Sequence, residues 1–342
     1  MSSIKDIAAR AGVSTTTVSH VLNKSRYVHP DTAARVMKAV EELDYKPNMI
    51  ARSLRRRKTN TIGLLVSDVE NPFFSEVARA VEATAYERGY SMIFCSTDEN
   101  LEKEMLYVDV LFAKQVDGLI LSPAPGDHDY LYRYLQNDAR VVFVNRFIEG
   151  FPCPSVVSDD ENAMYELTSQ LLRSGHRRLG TIIGVELATT TQLRLNGLRR
   201  ALQEVGQTLD DVIQFYGYSR REGGYQAARE VIAMKDPPSA IIAFNSVMLD
   251  GFLLGLLDLA PHLIPQIEIT GFGYSLVARA CQPSKRYVRQ PSYEVGQAAA
   301  NLLLDILTGK REWNTDQIVI PNDIVVRGAS PGLPVPEIRT VR

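Results

Sequence analysis

Residues 3–23, SIKDIAARAGVSTTTVSHVLN, decide how the N-terminal part of the chain is read. Ser3 precedes Ile4 with Asp6 three places on, a capping box with Asp in place of Glu. Ile4, Ile7, Ala8 and Ala11 recur at i, i+3, i+4 and i+7, one apolar stripe on a two-turn helix. Gly12 ends that helix, because glycine takes the left-handed C′ conformation at little cost. Ser14 caps a second helix with Val18, Val21 and Leu22 on its core face. Its outer face carries Thr15, Thr16, Ser19 and His20, short polar groups suited to close approach to base edges or phosphates. Pro30 fits the first turn of a third helix that turns Ala33, Val36, Met37, Val40 and Leu43 inward. Helix, glycine turn, helix and supporting helix is the helix-turn-helix plan. A plain three-helix bundle shares the stripes but has no reason to join a small-polar face to the charge described next.

The whole chain has 342 residues and a formal net charge of −2, which says nothing of nucleic acid. Residues 1–60 hold twelve Lys and Arg against five acids, a net of +7; the remainder holds 26 against 35, a net of −9. A basic head for a polyanion and an acidic body that avoids one give such a split. A solvated basic face without a partner gives the same charge, and only the pattern beneath it discriminates. The segment that follows, KPNMIARSLRRRKTNT at 46–61, is basic, and residues 48–54 are too short for a stable isolated helix. Ala51 and Leu54 lie three apart on one small apolar face, while Arg52 and residues 55–58 repel one another unless phosphates are near. A hinge that folds only on DNA and wedges Leu54 into the minor groove uses these features; a plain basic linker shares the composition.

From Thr61 the pattern is strand, helix, strand, helix. Short apolar runs at 62–66, 91–95, 119–121 and 141–144, then at 179–183, 213–215, 240–244 and 267–271, are separated by helical segments of crossover length. This predicts an α/β fold with two doubly wound parallel sheets behind an all-α head. Ligands in such sheets bind beyond the carboxyl ends of strands, which draws attention to 67–74, 122–125, 145–147, 184–194, Asn245 and 272–274.

No catalytic set stands at those positions. The chain has no GxSxG elbow, P-loop, HExxH or dinucleotide fingerprint, and His20, His29, His128, His176 and His262 lack metal-ligand spacing. His176 reads as structural, and Asp159, Asp160 and Glu161 as acids placed at a helix N-terminus for its dipole. No enzyme, cofactor or metal is expected. Cys95, Cys153 and Cys281 are far apart and read as reduced thiols of a cytoplasmic protein. The N-terminus carries Lys5, Asp6 and Arg10 where a signal peptide needs an apolar stretch, and the richest apolar run, 251–260, is interrupted by Asp258. No membrane association is expected.

The residues also resemble bacterial transcriptional regulators of the lactose-repressor/galactose-repressor (LacI/GalR) type from end to end. The carriers are IKDIAARAGVSTTTVSHVLN (4–23), YKPNMIARSLRRRKTNTIGLLV (45–66), VENPFF (69–74), VDGLILS (116–122), VVFVNR (141–146), SGHRRLGTIIG (174–184), RLNGLRRAL (194–202) and RQPSYEVGQAAA (289–300). Together, in family order, they are highly specific. The resemblance implies a helix-turn-helix domain at 1–46, a hinge helix and linker at 47–60, and an effector-binding and dimerisation core at 61–328, like periplasmic sugar-binding proteins. Its N-subdomain spans 61–158 plus 291–319 and its C-subdomain 159–290 plus 320–328, with a Pro-rich tail at 329–342. It also implies a homodimer on a pseudopalindromic operator in double-stranded DNA. The tail, SPGLPVPEIRTVR, lacks the leucine heptad of tetrameric relatives, so a dimer is expected.

Carried over by position, Thr15, Thr16 and His20 read bases. Ser3, Ser14, Thr17, Ser19, Asn23, Thr32 and Asn48 hold phosphate, and Ala51 and Leu54 enter the minor groove. His20 stands where arginine is common in the family. Asn71, Phe73, Phe74, Ser122, Asn145, Arg146, Arg194, Asn245 and Gly273 occupy positions lining the family's effector cleft. Gly273 stands where a carboxylate usually meets sugar hydroxyls, and Ser246 replaces another Asp. Loss of that charge beside Arg146 and Arg194, with Tyr218, Arg220 and Arg221 nearby in the loop, points to a sugar acid or sugar phosphate, with a neutral hexose or pentose as the competitor. A cytoplasmic solute-binding protein of the same core without DNA function leaves the +7 head unexplained, and a sugar-modifying enzyme lacks its residues.

Overall fold

The computed structural model describes residues 3–23, 26–45, 58–273, 275–281 and 286–326. The chain divides into two compact units, Met1–Thr59 and Asn60–Arg342.

The first unit holds α1 (Ile4–Ala11), α2 (Thr15–Asn23) and α3 (Pro30–Glu42). The capping box forms in both directions: the Asp6 N–H donates to Ser3 Oγ at 3.4 Å, and the Ser3 N–H to Asp6 Oδ2 at 2.7 Å. These reciprocal bonds hold the Asp6 carboxyl below its ordinary value. Gly12 follows α1 at φ +63° and returns its N–H to the carbonyls of Ala8 and Ala9. Ile7, Ala8, Ala11, Val18, Val36 and Ala39 form the buried core. Met37, expected inward, is 52% exposed. Three short helices bury only a narrow stripe of α3, and Ala39 occupies the position that faces α1 and α2.

The second unit is built from two parallel sheets. The first lobe carries β1 (Thr61–Val66), α4 (Pro72–Glu87), β2 (Ser91–Ser96), α5 (Leu101–Ala113), β3 (Gly118–Leu121), α6 (Tyr132–Leu135), β4 (Val141–Val144) and β5 (Ser155–Ser158). The second carries α7 (Asp160–Arg173), β6 (Leu179–Ile183), α8 (Thr189–Gln203), β7 (Ile213–Tyr216), α9 (Arg221–Ala233), β8 (Ala240–Ala243), α10 (Ser246–Leu259), β9 (Glu268–Gly271), α11 (Leu276–Cys281) and β10 (Arg286–Arg289). The chain then returns to the first lobe as α12 (Ser292–Leu307) and β11 (Gln317–Ile320), and ends its described part in β12 (Asp323–Val326), antiparallel to β10.

The first sheet has the order β11-β5-β4-β3-β1-β2 and the second β7-β6-β8-β9, every pairing parallel. Strands such as β3, β4, β6 and β8 are buried along their whole length, as sheets covered on both faces require. In the first lobe α4 and α12 cover one face through Phe74, Val77, Val81, Val295 and Leu303. Leu111, Phe143 and Phe151 fill the other. In the second lobe α9 and α10 approach so closely that a Cβ on Gly224 would stand 2.0 Å from the Met248 carbonyl oxygen, and one on Gly251 2.0 Å from that of Arg221. Only glycine permits that contact at either position.

Three short connections, at 158–160, 289–292 and 320–323, join the lobes. No helix of the described residues is long and apolar enough to cross a membrane.

Candidate functional site

The outer face of α2 carries Thr15 and Thr16 exposed, with Thr17, Ser19 and His20 half-buried. Ser14 caps the helix by accepting the Thr17 N–H at 3.1 Å, and its hydroxyl lies 2.9 Å from Thr17 Oγ1. Ser3, Ser14 and Thr32 thus stand at the N-termini of α1, α2 and α3, where backbone N–H groups and the helix dipole favour phosphate oxygens. Val18 turns the other way into the core. Asn48, Ala51, Leu54 and the side chain of Asn23 lie outside the described residues.

The second unit holds a polar cleft of about 460 Å³, open mouth included. Its walls come from the carboxyl ends of strands in both lobes. Asn71, Phe73, Phe74, Asn145, Arg146, Arg194 and Asn245 all line it. Ser122 and Gly273 do not: Ser122 is buried, and Gly273, at φ +90°, packs beside Ser246 and Gln290. Tyr218, Arg220 and Arg221 also stay off the lining, whereas Ser219 between them joins it. Arg220 instead crosses between the lobes and donates to the Asp98 carbonyl at 2.6 Å.

Local structure explains how these side chains arrive. Asn71 caps α4 by accepting the Phe73 N–H at 3.1 Å, and Asn245 caps α10 by accepting the Met248 N–H at 2.8 Å. Asn145 takes the left-handed conformation at φ 64°, which asparagine tolerates better than most residues, and so turns the chain at the end of β4. Phe73 and Phe74 meet edge to face, centroids 5.2 Å apart. The N-termini of α4, α8 and α10 contribute to the walls, which favours ligand oxygen acceptors.

Both arginines already carry counter-charges. Arg146 donates through Nη1 and Nη2 to the two carboxylate oxygens of Glu99, at 2.5 and 2.7 Å. Burial opposes its charge, but Glu99, aided by Glu104 and Asp68, outweighs that and holds Arg146 above its ordinary value. Arg194 donates to Asp160 Oδ2 at 2.6 Å and to the Phe244 carbonyl, and its guanidinium lies 4.1 Å from the Phe272 ring centroid. Desolvation dominates there and lowers the Arg194 pKa despite Asp160, with Arg146 adding repulsion. Asp68, which shares the lining with Glu99, is raised by burial against the Glu70 N–H and Arg220.

This corrects two expectations. The cleft is not a pair of arginines without carboxylates, because Glu99, Asp160 and Asp68 offset them. Asp160 is no simple dipole partner either: it is buried, pairs with Arg194, and accepts hydrogen bonds from Ser158 and Asn322. Asp159 does the capping of α7, and Glu161 pairs with Arg200 at 3.0 Å. His176 is structural, 3.0 Å from both Ser239 Oγ and Glu268 Oε2.

Sequence reasoning missed Glu99, Ser219, Phe244, Met248 and Gln290 of the lining. Glu99 and Ser219 follow the carboxyl ends of β2 and β7, a signal the strand pattern offered; Gln290 sits at a lobe connection, which no local pattern marks.

A recognition-type three-helix head on the same chain as a two-lobed, parallel-sheet unit with a polar cleft at its strand ends defines a DNA-binding regulator with an effector domain. Comparison with known proteins gives the same class. Residues 3–48 match the family model described as "Bacterial regulatory proteins, lacI family", and 59–327 that described as "Periplasmic binding proteins and sugar binding domain of LacI family". A protein of Proteus mirabilis described as "HTH-type transcriptional repressor PurR" is 36% identical over 314 residues, 91% of this chain and 92% of its own. Among solved structures, a "transcriptional regulator CelR-cellobiose complex" is 28% identical, covers 96% of this chain and all of its own, and superposes with a TM-score of 0.67. A LacI-family regulator from Enterococcus faecium with bound ribose is 26% identical, covers 77% of this chain and 96% of its own, and has a TM-score of 0.69. The chain belongs to the LacI family: it is a DNA-binding transcriptional repressor with a sugar-binding-type core, not an enzyme.

Proposed function

We propose that the protein binds a pseudopalindromic operator as a homodimer and releases or tightens it when a small neutral carbohydrate occupies the cleft between lobes 61–158 plus 291–319 and 159–290 plus 320–328. Thr15, Thr16 and His20 contact base edges in the major groove. Ser3, Ser14, Thr17, Ser19, Asn23, Thr32 and Asn48 fix register on phosphates. Residues 48–54 fold on the operator and insert Leu54, with Ala51 beside it, into the minor groove. Lobe closure changes the spacing of two such hinges across the dimer and therefore the cost of folding them.

One observation carries the effector reading. Three residues of the cleft hold buried hydrogen-bonding atoms without a partner among the described residues: the acceptor Asn145 Oδ1 and the donors Arg146 Nε and Arg194 Nε. A hydroxyl donates and accepts, so a polyhydroxylated ligand meets both kinds. A sugar acid or sugar phosphate has hydroxyls too, but its anionic group only accepts, and the Arg146 fork is already filled by Glu99 and that of Arg194 by Asp160 and the Phe244 carbonyl. The charge argument for a sugar acid therefore loses its premise, and the relatives described with cellobiose and ribose agree in chemistry with a neutral sugar.

The test is a thermal-shift comparison of matched pairs, glucose with gluconate and ribose with ribose 5-phosphate. At about 100 times its Kd a ligand stabilises by about 2.7 kcal/mol, readily seen as a shift in melting. Stabilisation by a neutral member is expected; stabilisation confined to acids and phosphates would reject the neutral reading and leave the repressor class untouched. For the hinge, Leu54→Ala is expected to weaken operator binding without altering the melting of the core.

A further inference from the structure

Glu99 is delivered to the cleft by an unusual backbone. Asp98 and Glu99 both lie in the left-handed region, at φ 54° and 62°, where residues with a side chain are uncommon. The Glu99 N–H donates to the Ser67 carbonyl at 2.9 Å, and Asn100 caps α5 by accepting the Lys103 N–H at 2.8 Å. Lys103 pairs with Asp98, and Arg220 reaches across from the second lobe to the Asp98 carbonyl. Held from three directions, the loop lays the Glu99 carboxylate flat against the fork of Arg146, with both side chains almost wholly buried. An arginine grips a free carboxylate or phosphate with the same two-pronged geometry.

The two arginines of the cleft differ in how firmly their carboxylates are built in. Asp160 is tied into the wall by Ser158 and Asn322 as well as by Arg194. Among the described residues the Glu99 carboxylate bonds Arg146 alone. Glu99 is therefore the group that an incoming anion would have to displace to reach an arginine fork. Resting on the reading of a neutral effector, we infer that Glu99 is the specificity-determining residue of the cleft: an internal anion that fills the Arg146 fork and excludes carboxylate- and phosphate-bearing relatives of the effector. Arg146 keeps Nε for a hydroxyl, so it discriminates by charge without losing its hydrogen bond to a sugar.

The experiment uses the full-length protein without DNA and inorganic phosphate as the probe, titrated at constant ionic strength while the melting temperature is followed. Wild type is expected to give no saturable response. Glu99→Gln opens the fork and is expected to gain a saturable rise of about 3 °C or more. Glu99→Gln combined with Arg146→Gln is expected to lose that rise, and Glu99→Asp, one methylene shorter, to show a smaller one. A folded Glu99→Gln protein without a phosphate response overturns the inference, as does a wild type that responds equally. If Glu99→Gln is unfolded in plain buffer, restoration by phosphate supports the inference and failure to restore overturns it. Matched neutral and acidic sugars on the wild type judge the effector reading separately, because the phosphate titration needs no knowledge of which sugar binds.

Discussion

Arg194 on α8 and Asp160 at the start of α7 form a buried ion pair, 2.6 Å long, on the second-lobe side of the cleft. The pair joins two helices and presents one edge of the guanidinium to the ligand space. Arg194→Ala would leave Asp160 charged and buried without its partner, which costs about 3–5 kcal/mol. Urea denaturation of the isolated protein should register that loss, and the sugar response should vanish with it. Arg194→Lys keeps the charge but not the fork, and is expected to fall between.

Asp68 gives the core a pH dependence of defined sign. Burial raises its carboxyl above the ordinary 3.8. A carboxyl raised in the folded state binds its proton more tightly there than in the unfolded chain. Its contribution is therefore greatest below the unfolded value and is lost as pH rises through the folded one. Asp68→Asn should remove that decline, seen as a flatter urea midpoint on going upward from about pH 4. Asp98, lowered chiefly by its hydrogen bond to Lys103, works in the opposite sense and loses its contribution as pH falls through its folded value.

Cys153 is buried and its thiol is pushed up to about 12 by desolvation. At pH 8 it is almost wholly protonated in the native protein. A thiol reagent should modify the half-buried Cys95 and Cys281 ahead of Cys153, and Cys153 should react only as the fold opens. Mass spectrometry of partly labelled protein reads this order directly.

In the head, Gly12 at φ +63° has open space where a Cβ would stand, so Gly12→Ala tests backbone strain alone. A cost of about 1–2 kcal/mol in head stability is expected from the left-handed conformation. Thr16→Ala, exposed on α2, should leave stability unchanged but reduce discrimination between operator and random DNA by about 1–3 kcal/mol. Calorimetry and competitive anisotropy separate the two effects.

Much of this architecture is legible in local pattern. The Ser3–Asp6 box, the Gly12 turn and the apolar strands from 62 onward are set by near neighbours in sequence, and they stand where the pattern puts them. Residues 155–158, SVVS, offer only two apolar residues between serines, yet form β5, because β4 and β11, the latter 162 residues away, pair with its two edges and α12 covers Val156. Met37 misleads for a related reason: the stripe on α3 is wider than a three-helix head can cover. At the cleft, residues next to strand ends are visible in sequence, but their charge balance is not. Arg146 and Arg194 read as free cations until the fold brings Glu99 and Asp160, 47 and 34 residues away, to within hydrogen-bond distance.

Occupancy of the cleft is expected to change the affinity of the head for DNA. The direct measurement is the Kd of the full-length protein for an operator selected from a random DNA pool, by fluorescence anisotropy at fixed salt, with and without the neutral sugar that stabilises the core. A change of about 5- to 150-fold is expected, the span of ordinary allosteric coupling. An operator Kd unchanged at saturating sugar, or no preference for selected over random DNA, would contradict it.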